Sequence, residues 1–323
     1  MTRSASMPAR HLALFGPALV FLAAMLWATD APFRAELTQG LSSSFIVLAE
    51  HGVNLLFAIP VLLFNWRSLG SLRKNEWAAI LAIAIGGSAL ASVAFTQAFH
   101  YVNPSVAILL QKVQPLIAIA LAALFLREQL HKNFWIWALV ALGGAYLISF
   151  PQLEPKLYEG EVFNPNTIGV LLSLSAAVLW GASTVLGKYA LRMTAFQTLT
   201  ALRFSVAFVF LLTLSLVQDT IPEVASIAPS DWLFIAIIAA VSGAASLSLY
   251  YYGLQYTKAS IATIAELGFP LAAVFVNAYF IASIPEEGLY FGLHLGQWIG
   301  TLLLLGALYM LSRVNREETH LAV

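Results

Sequence analysis

Tyr101-Val102-Asn103-Pro104-Ser105 opens a stretch that runs through Gln111 to Pro115, and Tyr256-Thr257-Lys258-Ala259-Ser260 opens one that runs through Glu266 to Pro270. The two stretches keep a constant spacing of 155 residues. Each proline lies mid-way along an apolar segment, four residues after a polar side chain. A proline inside a helix cannot donate to the carbonyl four residues back, so the carbonyls of Gln111 and Glu266 are expected to be freed. Two broken backbone positions with polar side chains at membrane depth, one in each half of the chain, point to a transporter's binding centre. Pro115 and Pro270 are then its hinges.

The 323 residues are 60% hydrophobic and only 10% charged, whereas a soluble domain carries about a quarter charged residues. The chain therefore reads as an all-α membrane protein. It has no cysteine and a formal net charge of zero, which excludes disulfides and thiolate chemistry and gives no sign of a nucleic-acid partner. Arg3 and Arg10 precede an apolar run from Leu12 that is too long for a signal-peptide core, so an uncleaved first helix is expected.

Ten segments approach the roughly 20 apolar residues needed to span a bilayer: 12–36, 42–65, 76–98, 103–126, 133–150, 166–190, 195–217, 231–255, 259–282 and 294–312. A polar stretch, 151–165, divides them into two five-helix repeats, 12–150 and 166–312. Of the 16 basic residues, twelve fall on one side if the N-terminus is inside, while Arg34 and Lys156 fall in external loops. This bias places both termini in the cytoplasm. An odd number of helices per repeat makes the two halves an inverted pair.

Leu179-Trp180-Gly181-Ala182-Ser183-Thr184, followed by Gly187-Lys188-Tyr189-Ala190-Leu191, resembles the sixth-helix signature of EamA-type transporters of the drug/metabolite superfamily. Leu202-Arg203-Phe204 and Leu124-Phe125-Leu126-Arg127-Glu128-Gln129-Leu130 fit the same family, and the resemblance covers about residues 12–312. The first half departs from it at Trp27-Ala28-Thr29-Asp30 and at Glu50, where an arginine is common. The resemblance implies a carrier, more often for export of amino acids or related metabolites than for import.

Helical spacing puts Thr263, Glu266, Pro270 and Asn277 in one narrow sector, and Pro104, Ala107, Gln111, Pro115, Ala118 and Ala122 in another. Such stripes face protein or a cavity rather than lipid. Tight helix packing is one reading; a substrate or proton site built from the Glu266 carboxyl and the freed carbonyls is the other. Lys112 flanks Gln111 and is expected either to pair with Glu266 or to hold a substrate carboxylate. Glu50 and Arg203 are pseudo-equivalent and of opposite charge; Glu50 is a candidate proton-titrating group, and Arg203 either anchors an anionic substrate or, as favoured, braces neighbouring helices. Trp27, Trp180 and Tyr252 are candidates for an aromatic cavity wall, and Glu128 reads as a structural carboxylate at the start of the fifth helix. Gly296 and Gly300 mark a close-packing face, within the chain or in a homodimer.

No hydrolase, metalloprotease or phosphate-loop motif is present, and no metal or cofactor site is expected. The sequence thus predicts a non-enzymatic, multi-pass inner-membrane carrier whose partners are the lipid bilayer and a small-molecule substrate. A multidrug efflux carrier of the same fold and, more remotely, a lipid scramblase are the alternatives.

Overall fold

A computed structural model describes residues 7–102, 107–108, 110–130, 132–149, 166–281, 289–290 and 293–321. Among the described residues ten apolar helices follow in order: α1 (Leu14–Leu37), α2 (Ser43–Phe64), α3 (Lys74–Ala98), α4 (Gln111–Phe125), α5 (Lys132–Ile148), α6 (Thr167–Ala190), α7 (Phe196–Val217), α8 (Pro229–Leu254), α9 (Ala259–Ala273) and α10 (Leu295–Val314). Seven are long and apolar enough to cross a membrane; α4, α5 and α9 are shorter. A pair of two-residue antiparallel strands, β1 (Leu289–Tyr290) and β2 (Leu293–His294), precedes α10. The connecting stretch 151–165, the start of the fourth segment at Asn103-Pro104-Ser105, and the side chain of Asn277 lie outside the described residues.

The outward faces carry large apolar side chains such as Leu56, Phe64, Phe125, Leu139, Val209 and Leu302. A protein surrounded by water rarely exposes so continuous an apolar surface; in lipid it costs nothing. The inward faces are rich in alanine and serine, which let helices approach closely. Gly144 on α5 and Gly300 on α10 show this best. A Cβ at Gly144 would stand 2.7 Å from the Gly300 carbonyl oxygen, so only glycine fits. Gly300 is thus used within the chain.

The packing repeats. α1 lies against α8, and α6 against α3; α4 lies against α6, and α9 against α1. Adding or subtracting five from each label turns each pair into its counterpart, while α2–α7 and α5–α10 map onto themselves. The same correspondence appears in the backbone. α3 widens into a π-helical segment at Ile83–Leu90, where Ala91 N–H bonds the Gly86 carbonyl, and α8 does so at Ile238–Ala245. These segments begin 155 residues apart, the spacing of the two prolines.

The breaks beside those prolines are real but differ in detail from the expectation. Gln111–Val113 forms a 3₁₀ turn, and Pro115 then lies in the first turn of the helix that restarts at Gln114. The second break is the turn at Glu266-Leu267 between Ala259–Ala265 and Gly268–Ile281. A proline in a helix's first turn costs no hydrogen bond. Both carbonyls expected to be free are re-used locally: Gln114 N–H bonds the Gln111 oxygen, and Phe269 N–H bonds that of Glu266 at 3.0 Å. Three-residue turns tighten the chain enough to recapture them.

Arg34 also departs from the expectation. It is buried inside α1 rather than placed in an external loop, because the helix resumes at Ala31–Leu37 after a 3₁₀ turn at Ala28–Asp30.

Candidate functional site

A cavity of about 180 Å³ lies at the centre of the bundle, between the two breaks and the two π-helical segments. A single water needs roughly 10–15 Å³ on this scale, so the space suits a small organic molecule. Of the residues picked out from the sequence, Gln111, Lys112, Glu266, Trp27, Trp180, Glu50, Pro115 and Pro270 all line it. Thr263 and Tyr252 do not. Tyr250 lines the wall instead, and two residues along a helix rotate a side chain by about 200°, so Tyr252 packs against Phe196 and Tyr256. Thr263 is fully buried, one turn before the break.

Among the described residues Glu266 is held by neutral donors alone. Tyr250 Oη donates to Oε1 at 2.8 Å and Thr184 Oγ1 at 3.2 Å, while Gln114 Nε2 donates to Oε2. The break at Glu266-Leu267 turns the carboxyl inward, and the 3₁₀ turn at Gln111–Val113 swings Gln114 to meet it. The expected Lys112–Glu266 pair is therefore not formed; the amide three residues further along takes that place.

Glu50 is ion-paired with Arg34, with Nη1 to Oε1 at 3.0 Å and an Nη2–Oε2 hydrogen bond of 3.1 Å. Arg34 also meets Asp30 at 2.9 Å and donates to Thr96 Oγ1 at 2.8 Å. One guanidinium thus joins two carboxylates and ties α1 to α2 and α3. A buried ion pair is tolerable only when its remaining hydrogen bonds are met in this way. Sequence reasoning missed Arg34 and Asp30 as site residues. The signal was available: Asp30 and Arg34 are four apart and continue the helical sector of an apolar segment.

Arg203 sits on the opposite repeat. Its Nε donates to Ser88 Oγ on the α3 π-helical segment, its Nη1 to Tyr251 Oη at 2.9 Å, and its guanidinium lies 5.8 Å from the Tyr251 ring centre. Among the described residues it touches no carboxylate within ion-pair distance. The aromatic walls are locked too. Trp180 Nε1 donates to the Gly87 carbonyl at 2.8 Å, and Trp180 meets Phe95 edge-on at 5.3 Å. Trp27 and Tyr250 pack with ring centres 5.0 Å apart. His51, Asn54 and Ser242, which the sequence did not single out, complete the polar lining.

In total the cavity presents three carboxylates, from Asp30, Glu50 and Glu266, and three cationic side chains, from Arg34, Lys112 and Arg203. Among the described residues no cluster of ligating side chains could hold a metal ion.

Membrane-length apolar helices around an interior cavity lined by charged, polar and aromatic side chains define a multi-pass membrane protein. The chain matches the EamA-like transporter family over residues 14–150 and again over 167–313, and it belongs to that family. The resemblance read from the sixth- and seventh-helix motifs is met. Among curated relatives, the chain is similar to a riboflavin transporter, ImpX, of Fusobacterium nucleatum subsp. nucleatum: 31% identical over 265 residues, covering 80% of this chain and 87% of that one. It is also similar to an uncharacterized transporter, YwfM, of Bacillus subtilis (strain 168), 22% identical over 204 residues and covering 63% and 62% of the two chains. A solved crystal structure shares the fold with a TM-score of 0.70 at 14% identity, covering 93% of this chain and 98% of that one.

Proposed function

We propose that this protein carries a small, neutral, planar metabolite with a polar edge, of the chemical kind of riboflavin, across the cell membrane by alternating access. The observation that carries this reading is the cavity's combination of aromatic walls and balanced charge. Three acidic side chains against three basic ones leave no formal excess of either sign to attract an anion or a cation. Trp27, Trp180 and Tyr250 offer flat apolar surface to a ring system. The similarity to a riboflavin transporter supports the same class.

In this reading all ten apolar segments span the bilayer, both termini face the cytoplasm, and the repeats 12–150 and 166–312 are inverted copies that rock about the site. Gln111, Glu266 and the aromatic pair Trp27 and Trp180 contact the substrate, while Pro115 and Pro270 mark where α4 and α9 flex. Glu266 and Glu50 are the groups through which proton movement would couple to transport.

An amino-acid exporter is the second reading. It draws on Glu266 and Arg203, a carboxyl and a guanidinium in the same cavity that form no ion pair among the described residues and would receive an ammonium and a carboxylate. Purified protein in proteoliposomes, loaded in turn with riboflavin and with an amino-acid mixture, separates the two. Saturable riboflavin flux absent from protein-free vesicles is expected; flux of amino acids alone would replace the first reading with the second.

A further inference from the structure

His51 and Asn54 are three residues apart on α2 and so share one face. α2 packs against α7, which carries Arg203, and the His51 ring meets the Phe204 ring edge-on at 5.7 Å. All three polar side chains are more than nine-tenths buried and line the cavity. His51 Nδ1 lies 2.8 Å from the Val47 carbonyl oxygen. A carbonyl can only accept, so Nδ1 carries the hydrogen and the neutral ring presents Nε2 as an acceptor. That Nε2 is buried and has no hydrogen-bond partner among the described residues.

Arg203 spends Nε on Ser88 and Nη1 on Tyr251; among the described residues Nη2 donates to nothing. The Asn54 amide likewise makes no hydrogen bond among the described residues. The π-helical segment of α8 comes so close to it that a Cβ at Gly243 would stand 2.5 Å from Asn54 Nδ2 and 3.2 Å from Oδ1. A buried acceptor left unmatched, as His51 Nε2 is among the described residues, is uncommon.

We propose that this wall reads a cyclic imide edge, a ring N–H flanked by two carbonyls. His51 Nε2 accepts the N–H, and Arg203 Nη2 and the Asn54 amide donate to the carbonyls. Other ligand edges fit worse. A carboxylate would satisfy Arg203 and Asn54 but set a lone pair against His51 Nε2; an ammonium would satisfy His51 but meet the Arg203 charge. The imide edge belongs to the pyrimidine ring of flavins and to uracil-type rings generally. The inference rests on the proposed function in placing such a ring in this cavity, with Trp27, Trp180 and Tyr250 available to its faces.

The test compares binding of riboflavin, riboflavin methylated at the imide nitrogen, and uracil to the purified protein. The two flavins are followed by quenching of flavin fluorescence and uracil by calorimetry. Losing one hydrogen bond to a buried acceptor should weaken binding of the methylated flavin by about tenfold or more. In His51→Ala the two flavins should bind within about threefold of each other, since the discriminating acceptor is gone. Asn54→Leu should weaken riboflavin binding while leaving the discrimination at the imide nitrogen in place. Equal binding of the two flavins by the unaltered protein overturns the inference without touching the proposed function. Binding of uracil but not riboflavin overturns the flavin reading and keeps the imide reader. Binding of none overturns both. The ligand-side comparison needs no variant, so a misfolded substitution cannot leave the question open.

Discussion

At the scale of single residues, the Asp30–Arg34–Glu50 cluster and the neutral cradle of Glu266 carry different risks. Removing Arg34 leaves the buried Glu50 and the part-buried Asp30 without a cation between them. Arg34→Met should cost on the order of 3–5 kcal/mol of stability. Glu50→Gln leaves Arg34 with Asp30 and Thr96 and should cost only about 1–2 kcal/mol. Thermal unfolding of the two detergent-solubilised variants checks the order; a Glu50→Gln variant less stable than Arg34→Met would contradict it. Glu266 accepts from three donors, and Glu266→Gln turns one accepting oxygen into a donor that faces Tyr250, Thr184 or Gln114. Flux in proteoliposomes should fall about tenfold or more while the protein still folds; unchanged flux at every pH removes Glu266 from the mechanism. Glu266 and Glu50 were legible in the sequence because an acid in an apolar segment stands out. Gln114 was not. The repeat points to Gln111, and only the turn that follows decides which amide reaches across.

At the scale of elements, helix ends and glycine contacts set the geometry. α4 closes with Arg127 at φ 54° and a Glu128 N–H to Ala122 carbonyl bond of 3.3 Å, a left-handed cap that aims the Glu128 side chain across to α9. There the carboxylate accepts from Ala259 N–H at 2.8 Å, Ser260 N–H at 3.1 Å and Ser260 Oγ at 2.7 Å. Glu128 thus caps α9 from the α4–α5 connection, rather than serving the start of α5 as its place in the sequence suggested. Glu128→Ala should cost about 1–2 kcal/mol, read as a loss of thermal stability, and Glu128→Gln should recover part of it. On α3, a Cβ at Gly87 would collide with the Ser183 side chain on α6. Gly87→Ala should therefore destabilise by about 1–3 kcal/mol, and adding Ser183→Gly should restore most of the loss. The π-helical segments were beyond sequence reasoning. Gly86-Gly87-Ser88 and Ser242-Gly243 look like ordinary small-residue packing until the i→i+5 bonds are seen.

Over the whole molecule, one end of the bundle is tied by polar contacts. Glu128 caps α9, Lys188 Nζ donates to the Leu254 and Gln255 carbonyls at the end of α8 at 2.8 and 3.0 Å, and Lys258 Nζ donates to the Gln129 carbonyl at 3.1 Å. In the proposed orientation, with both termini inside, this is the cytoplasmic end. Because the chain has no cysteine, single cysteines report sidedness directly. A cysteine at Gln39 should react with an impermeant thiol reagent added to intact cells, and one at Ser71 only after the membrane is opened. The reverse pattern would invert the proposed topology. Composition, apolar segment lengths and the spacing of 155 determined by themselves that this is a helical membrane protein built from two related halves, since these depend only on how much apolar surface each stretch offers and on its period. Which side chains meet was decided by tertiary structure alone. Arg34 joins Glu50, Gln114 joins Glu266, and Tyr250 rather than Tyr252 faces the cavity, because a local turn or a widened helical turn rotates a side chain by more than the sequence's period can resolve. The two prolines mark where the helices break, and the turns beside them choose what the break presents.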